Sequence, residues 1–166
     1  MDIAETRAFV RKAHDGQRDK IGRPYVEHIE RVADRVAAKL GALRERGVTI
    51  EPAQAQEIVT AALLHDVIED CGLVADDLLN LGCPDAVVDT VLTLTRRKGE
   101  AYPEFIERIA ASGNLGAMLI KLADVDDNLD PARFALLSRE DAARLGPRYS
   151  TAALRLRQEL QLMGMA

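Results

Sequence analysis

The sequence predicts an all-α protein, and three observations carry that expectation. Apolar residues recur at helical spacing along nearly the whole chain, with Val26, Ile29, Ala33, Val36 and Leu40 forming a clear stripe. Alternation of apolar and polar residues, the mark of a half-buried strand, is nowhere convincing. The punctuation also fits helices. Pro52, Pro84, Pro103 and Pro147 each stand where a new helical pattern begins, the position at which a missing N–H costs nothing, and glycines fall at the breaks.

Taken in order, a first helix over roughly 2–14 ends ahead of Gly16. The pattern over 24–45 carries the Val26 to Leu40 stripe and runs out at Gly47. Pro52 opens a helix over 52–70, which Cys71-Gly72 stops. A short helix over 75–80 precedes Gly82, Pro84 opens 84–95, and Pro103 lies near the start of 102–111, which Gly113 closes. Segment 114–129, NLGAMLIKLADVDDNL, spreads Leu115, Met118, Leu119, Ile120, Leu122 and Val125 around most of its circumference, so it is a largely buried helix. A short helix over 139–145 stops at Gly146, and Pro147 opens the last, over 147–163. The expected architecture is a bundle of eight to nine helices joined by short loops. With 166 residues, 48% of them hydrophobic, and no repeat or low-complexity linker, one domain over 1–166 is expected.

Charge narrows the function. Charged residues make up 30% of the chain and the formal net charge is -5, which argues against a nucleic-acid polymer or an anionic membrane as the main partner. An anionic substrate would need local Lys/Arg clusters or a bound cation. The two cysteines, Cys71 and Cys83, form no metal-type spacing and are expected as reduced thiols. The amino terminus breaks its apolar residues with Asp2, Glu5, Arg7 and Arg11, unlike a signal peptide, and no stretch is long and apolar enough to span a bilayer. A cytoplasmic protein is expected.

Chemistry concentrates in AALLHDVIED, where an apolar run ends in His65, Asp66, Glu69 and Asp70. His65 and Glu69 are one turn apart, as are Asp66 and Asp70, so a continuous helix would carry two adjacent columns of ligand-type side chains. Acids near a helix C-terminus oppose the macrodipole unless a cation is present. The plainer reading is a solvated acidic helix end. Asp124 falls on an apolar side of the buried 114–129 helix, so it needs a partner, either a cation such as Lys121 or a metal ion. His28 lies at the border of the Val26/Ile29 stripe, as a ligand or as a packing histidine. Two histidines and two aspartates on three helices make a mixed N/O set suited to an ion with open positions, a catalytic pattern. Basic residues cluster at Arg18, Lys20 and Arg23 and again at Arg96, Arg97 and Lys98, as phosphate clamps or ordinary surface charge.

With His28, the His65-Asp66 doublet and Asp124 in that order, the chain resembles the HD superfamily of metal-dependent phosphohydrolases. AHDGQRDKIGRPYVEH at 13–28, AALLHDVIED at 61–70 and KLADVDDN at 121–128 resemble the three signature blocks of the RelA/SpoT-type hydrolase domain, which removes the 3′-pyrophosphate from ppGpp and pppGpp. The resemblance implies His28, His65, Asp66 and Asp124 as ligands of one Mn2+ or another divalent ion, and Glu69 and Asp70 as the pair that orients or activates the attacking water. It places Asn128 near the ribose, Lys20 and the neighbouring Arg18 in a loop facing the phosphates, Tyr149 near the nucleoside, and Thr95-Arg96 where the family has a Thr-Lys pair. The expected partner is (p)ppGpp or a related phosphorylated nucleotide.

Two departures bear on the substrate. Where the family has a basic residue after the fourth ligand, this chain has Val125, followed by Asp126 and Asp127, and Asp19 stands where Arg is usual. Positive charge is lost and negative charge added near the site, so binding of a substrate with two pyrophosphates should weaken unless Arg18, Arg23, Arg96 or Arg97 compensates. Three rivals follow: a phosphohydrolase of another nucleotide or phosphorylated metabolite, a non-catalytic metal or nucleotide binder, and a purely structural bundle.

Overall fold

The computed structural model describes residues 1–165 and, among them, contains ten helices and no β-sheet. In chain order these are α1 (Ile3–Ala13), α2 (Tyr25–Glu45), α3 (Pro52–Leu64), α4 (Val67–Cys71), α5 (Ala75–Asn80), α6 (Asp85–Leu94), α7 (Tyr102–Ala110), α8 (Leu115–Asn128), α9 (Pro131–Phe134) and α10 (Arg139–Leu162). No helix among the described residues is long and apolar enough to cross a membrane.

Local chemistry explains most boundaries. Asp2 accepts from the Glu5 amide at 2.8 Å while Glu5 reaches back to the Asp2 amide at 2.8 Å, a reciprocal cap that starts α1. Pro52 sits in the first turn of α3 and Asn114 caps α8 by accepting from the Ala117 amide at 2.9 Å. Gly72, at φ +70, ends α4 in the left-handed region that suits glycine.

Helix α8 is the hub, packing against α2, α3, α6, α7, α9 and α10. Its buried positions include Met118, Leu119, Ile120, Leu122, Ala123 and Val125, matching the apolar circumference expected of it. The stripe on α2 buries Ile29, Ala33, Val36 and Leu40 in the same core. Gly116 permits a close approach, because a Cβ there would lie 3.1 Å from the Ile58 side chain on α3.

The structure departs from the expected elements in three places. The predicted 52–70 helix divides at His65-Asp66, where the His65 imidazole takes the Ala62 carbonyl at 2.8 Å, the acceptor that a continuous helix gives to the next turn. The two predicted helices over 139–145 and 147–163 are one, α10, with Pro147 inside it. Gly146, lacking a Cβ, relieves the clash that proline imposes on the residue before it, and the Pro147 ring leaves the Ala143 carbonyl without its usual donor. The four-residue α9 was not expected; Asp130 caps it, accepting from the Ala132 amide at 3.1 Å, with Pro131 in its first turn.

Candidate active site

Three parts of the bundle converge. His28 comes from the first turn of α2, His65 and Asp66 from the joint between α3 and α4, and Asp124 from α8. One ligand-type atom from each of His28, His65 and Asp66 lies within 4.8 Å of the other two. Asp124 adjoins them, its Oδ1 3.2 Å from His28 Nε2.

Both imidazoles are anchored through Nδ1. His28 Nδ1 donates to Asp127 Oδ2 at 2.8 Å and His65 Nδ1 donates to the Ala62 carbonyl at 2.8 Å. In the neutral ring this fixes the tautomer, leaving each Nε2 with a lone pair. His65 Nε2 is buried, 2.9 Å from Asp66 Oδ2, and has no hydrogen-bond partner among the described residues. A buried lone pair facing a carboxylate oxygen is costly, and a divalent cation shared by the nitrogen and oxygen donors removes that cost. The residues present fit such an ion.

Electrostatics agree. Burial would lower the pKa of His28, yet its hydrogen bonds to the Asp124 and Asp127 carboxylates raise it to about 9. Burial likewise opposes, and Asp66 drives, a raised pKa at His65. Burial would raise the Asp66 carboxyl, but His65 and His28 hold it well below the ordinary carboxylate range. The cluster thus draws positive charge into a dry place, as protons or as a metal ion.

Asp124 meets Lys121, the cation that the sequence offered as its partner. Lys121 Nζ lies 2.7 Å from its Oδ2, and the Asn128 amide donates to its Oδ1 at 2.7 Å, while Oδ1 also faces His28. Burial would raise Asp124, but the Lys121 ammonium together with His28 and His65 outweighs it and holds the carboxyl well below its usual value. Tyr25 donates to Asp66 Oδ2 at 2.5 Å and is kept protonated by burial and by that carboxylate.

Glu69 and Asp70 border the same cleft on α4. Glu69 Oε1 accepts from the Arg96 amide at 2.6 Å. Burial, followed by the nearby Asp66 charge, raises both carboxyls above their ordinary values, which suits groups that must take up a proton near neutrality. The helix break alters the expected geometry: His65 closes α3, while Glu69 and Asp70 belong to α4, so the two columns do not run down one continuous helix.

The cleft has a volume of about 330 Å³, lined by His28, Asp66 and Asp124 of the cluster and with Arg18, Lys20, Arg96, Arg133 and Arg148 among its cations. Asn128 and Tyr149 also line it, so five of the six expected substrate-facing residues reach it. Thr95 is the exception. It ends α6 with its hydroxyl donating back to the Val91 carbonyl at 2.9 Å and is not among the lining residues. A threonine at a helix end is satisfied by that back-bond, so the position beside Arg96 does not bring its hydroxyl to the cleft.

The feared negative charge is consumed internally. Asp19 pairs with Arg133 at 3.0 Å and accepts from the Ile21 and Arg23 amides at 3.0 and 2.9 Å, which pins the loop carrying Arg18 and Lys20 to α9. Asp126 pairs with Lys39 at 2.8 Å and with Arg157 at 2.5 Å. Asp127 is fully buried between His28, Arg31 and Arg133. Val125 is core. Asp127, Tyr25, Arg133, Tyr102 and Arg148 are the residues that sequence reasoning missed. Arg31, one turn after His28, was the available signal for a buried acid behind that histidine.

An all-helical fold that gathers two histidines and two aspartates from three segments beneath a cationic cleft defines an HD-type hydrolase domain. No family model matches the chain. It is 35% identical, over 76% of its length, to the guanosine-3′,5′-bis(diphosphate) 3′-pyrophosphohydrolase of Vibrio cholerae serotype O1 (strain ATCC 39315 / El Tor Inaba N16961), and spans 17% of that relative's length. It superimposes, with a TM-score of 0.70 and 25% identity, on a solved structure of a metazoan ortholog of SpoT that hydrolyzes ppGpp, covering 98% of this chain and 96% of the other. In sequence and in fold the chain is similar to the HD hydrolase domains of RelA/SpoT type.

Proposed function

We propose that this chain removes the 3′-pyrophosphate from (p)ppGpp, with a divalent cation, Mn2+, held by His28, His65, Asp66 and Asp124. The observation that carries the metal reading is the buried, unpartnered His65 Nε2 beside Asp66 Oδ2. The names of its relatives supply the substrate. Such an ion supplies Lewis-acid polarisation of a phosphoryl oxygen and a lower pKa for water.

The chain's own residues do the rest. Glu69 Oε1 is occupied by the Arg96 amide, which leaves Oε2 to accept the proton of the attacking water, and Asp70 stands beside it as the second acceptor. The water oxygen bonds to the phosphorus attached at O3′, the P–O3′ bond breaks, and O3′ takes up a proton as pyrophosphate departs. Arg18, Lys20 and Arg96 neutralise the phosphate oxygens. The Asn128 amide nitrogen is committed to Asp124, leaving its carbonyl oxygen to accept from a ribose hydroxyl. Tyr149 offers an aromatic face to the base.

The test is turnover of ppGpp with Mn2+ beside a panel of other phosphorylated nucleotides. GDP and pyrophosphate in equal amounts are expected, and Asp66→Ala should abolish metal binding and turnover together. Selective hydrolysis of another nucleotide would transfer the same chemistry to that substrate, as the loss of the basic positions at 19 and 125 would favour. Metal-bound protein inert to the whole panel would make it a binding module.

A further inference from the structure

Among the described residues, two donors that border the cleft lack hydrogen-bond partners. Tyr102 Oη and Arg148 Nε are both buried without a hydrogen-bond partner, and both residues line the cleft. The Arg148 guanidinium lies 3.7 Å from the centre of the Tyr102 ring. Stacking on the ring restrains a side chain that otherwise samples many rotamers, and strips water from one face of the cation.

Two neighbouring cations are committed to acids, and one nitrogen of a third is held by a carbonyl. Arg133 is tied to Asp19 and Asp127, Lys121 to Asp124, and Arg18 donates to the Gly22 carbonyl at 2.8 Å. Arg148 makes none of these bonds to the acidic residues of the site. Arg148 shares the Tyr102 ring with Lys121, the partner of Asp124: the Arg148 guanidinium lies 3.7 Å and the Lys121 ammonium 5.8 Å from the ring centre. Lys121 is engaged by Asp124 in the ligand cluster, whereas Arg148 lines the cleft without bonding to any of the four ligand-type residues and is available to a second phosphate group.

We infer that Arg148, held by Tyr102, is a specificity determinant that binds the phosphate chain at the 5′ position of the nucleotide. This rests on the reading of the substrate as a nucleoside bis(diphosphate). A guanidinium forms paired, charge-assisted hydrogen bonds to phosphate oxygens, and the unpartnered Tyr102 hydroxyl supplies a further donor. Arg148 thereby restores the positive charge that positions 19 and 125 do not provide.

The test separates this role from catalysis by measuring equilibrium binding of GDP and of guanosine, without metal, to the wild-type chain, Arg148→Ala, Arg148→Lys and Tyr102→Phe. Arg148→Ala should weaken GDP about 10-fold or more, the size expected for a charged hydrogen bond, and leave guanosine within about twofold. Arg148→Lys should recover part of the loss and Tyr102→Phe should show a smaller one. Retained guanosine binding reports that each variant is folded. Equal loss for both ligands would assign Arg148 to the base and overturn the inference, as would unchanged GDP binding. Turnover of ppGpp by the wild type is read separately: inactivity there would remove the proposed reaction, while selective loss of GDP binding would still show the 5′-phosphate site.

Discussion

Replacing Asp127 with Ala removes a fully buried carboxylate that serves four groups at once. Asp127 accepts from His28 Nδ1 at 2.8 Å and from Arg31 at 2.8 and 3.1 Å, with Arg133 Nε at 3.3 Å and Arg35 Nε at 3.5 Å. Breaking a buried ion pair by deleting one partner costs about 3–5 kcal/mol. The side chains of Arg31 and Arg35 are 30% and 35% exposed and regain water, whereas those of His28 and Arg133 are 4% and 14% exposed and do not. The low end, about 3 kcal/mol, therefore applies, and in a chain of this size it lowers Tm by about 10 °C. Asp127 also orients His28 as a ligand, and loss of such outer support weakens metal binding about 10–100-fold. Asp127→Asn keeps an oxygen for His28 Nδ1 but not the charge, so it should restore most of the metal affinity and less of the stability. Urea unfolding followed by circular dichroism and Mn2+ titration followed by electron paramagnetic resonance measure the two effects. An Asp127→Ala protein with wild-type Mn2+ affinity and a stability within about 1 kcal/mol of wild type would refute the role given to this residue.

Three further outcomes are expected. Burial would raise the Asp19 carboxyl, but the Arg23 amide and Arg133 outweigh it and lower it, so its stabilising contribution is present above the unfolded value of 3.8 and is lost as pH falls through the lower folded value. Unfolding free energies measured from pH 7 downward should converge for wild type and Asp19→Asn in acid, and a gap independent of pH would contradict the pairing with Arg133. Glu69→Gln keeps an acceptor for the Arg96 amide but cannot take a proton, so kcat on ppGpp should fall about 10²–10⁴-fold with KM little changed; an undiminished kcat would move the proton to Asp70. Pro147→Ala should stabilise α10 by about 1–2 kcal/mol, the recovered helix bond less the entropy that proline removes from the unfolded chain, and a loss of stability on urea titration would contradict an uninterrupted helix.

The helices legible in the sequence are those whose burial pattern is strong. Val26 to Leu40 on α2 and the apolar circumference of α8 state their faces directly, because a period near 3.6 can be read without knowing the neighbours. The boundaries that failed depend on bonds between residues. The break at His65-Asp66 follows from an imidazole competing for a backbone carbonyl, which spacing does not reveal, and Pro147 is tolerated inside α10 because Gly146 precedes it. The ligand-type residues His28, His65, Asp66 and Asp124 could be found from their residue types and order. Their supports could not: Asp126 and Asp127 look alike in the sequence, yet one pairs outward with Lys39 and Arg157 and the other is buried behind His28. The same blindness hid the pairing of Asp19, since its partner Arg133 lies far along the chain. Arg148 escaped notice because stacking on Tyr102 joins α7 and α10.

The most direct measurement pairs metal content with ppGpp turnover in the wild type and in Asp66→Ala, both stripped with chelator and reloaded with Mn2+. The expected wild-type result is one ion per chain, no turnover when stripped, and GDP plus pyrophosphate on reloading, with Asp66→Ala binding no ion and releasing no product. Turnover by stripped protein, or by Asp66→Ala without a bound ion, would show that the His28, His65 and Asp66 cluster is not the centre of the chemistry.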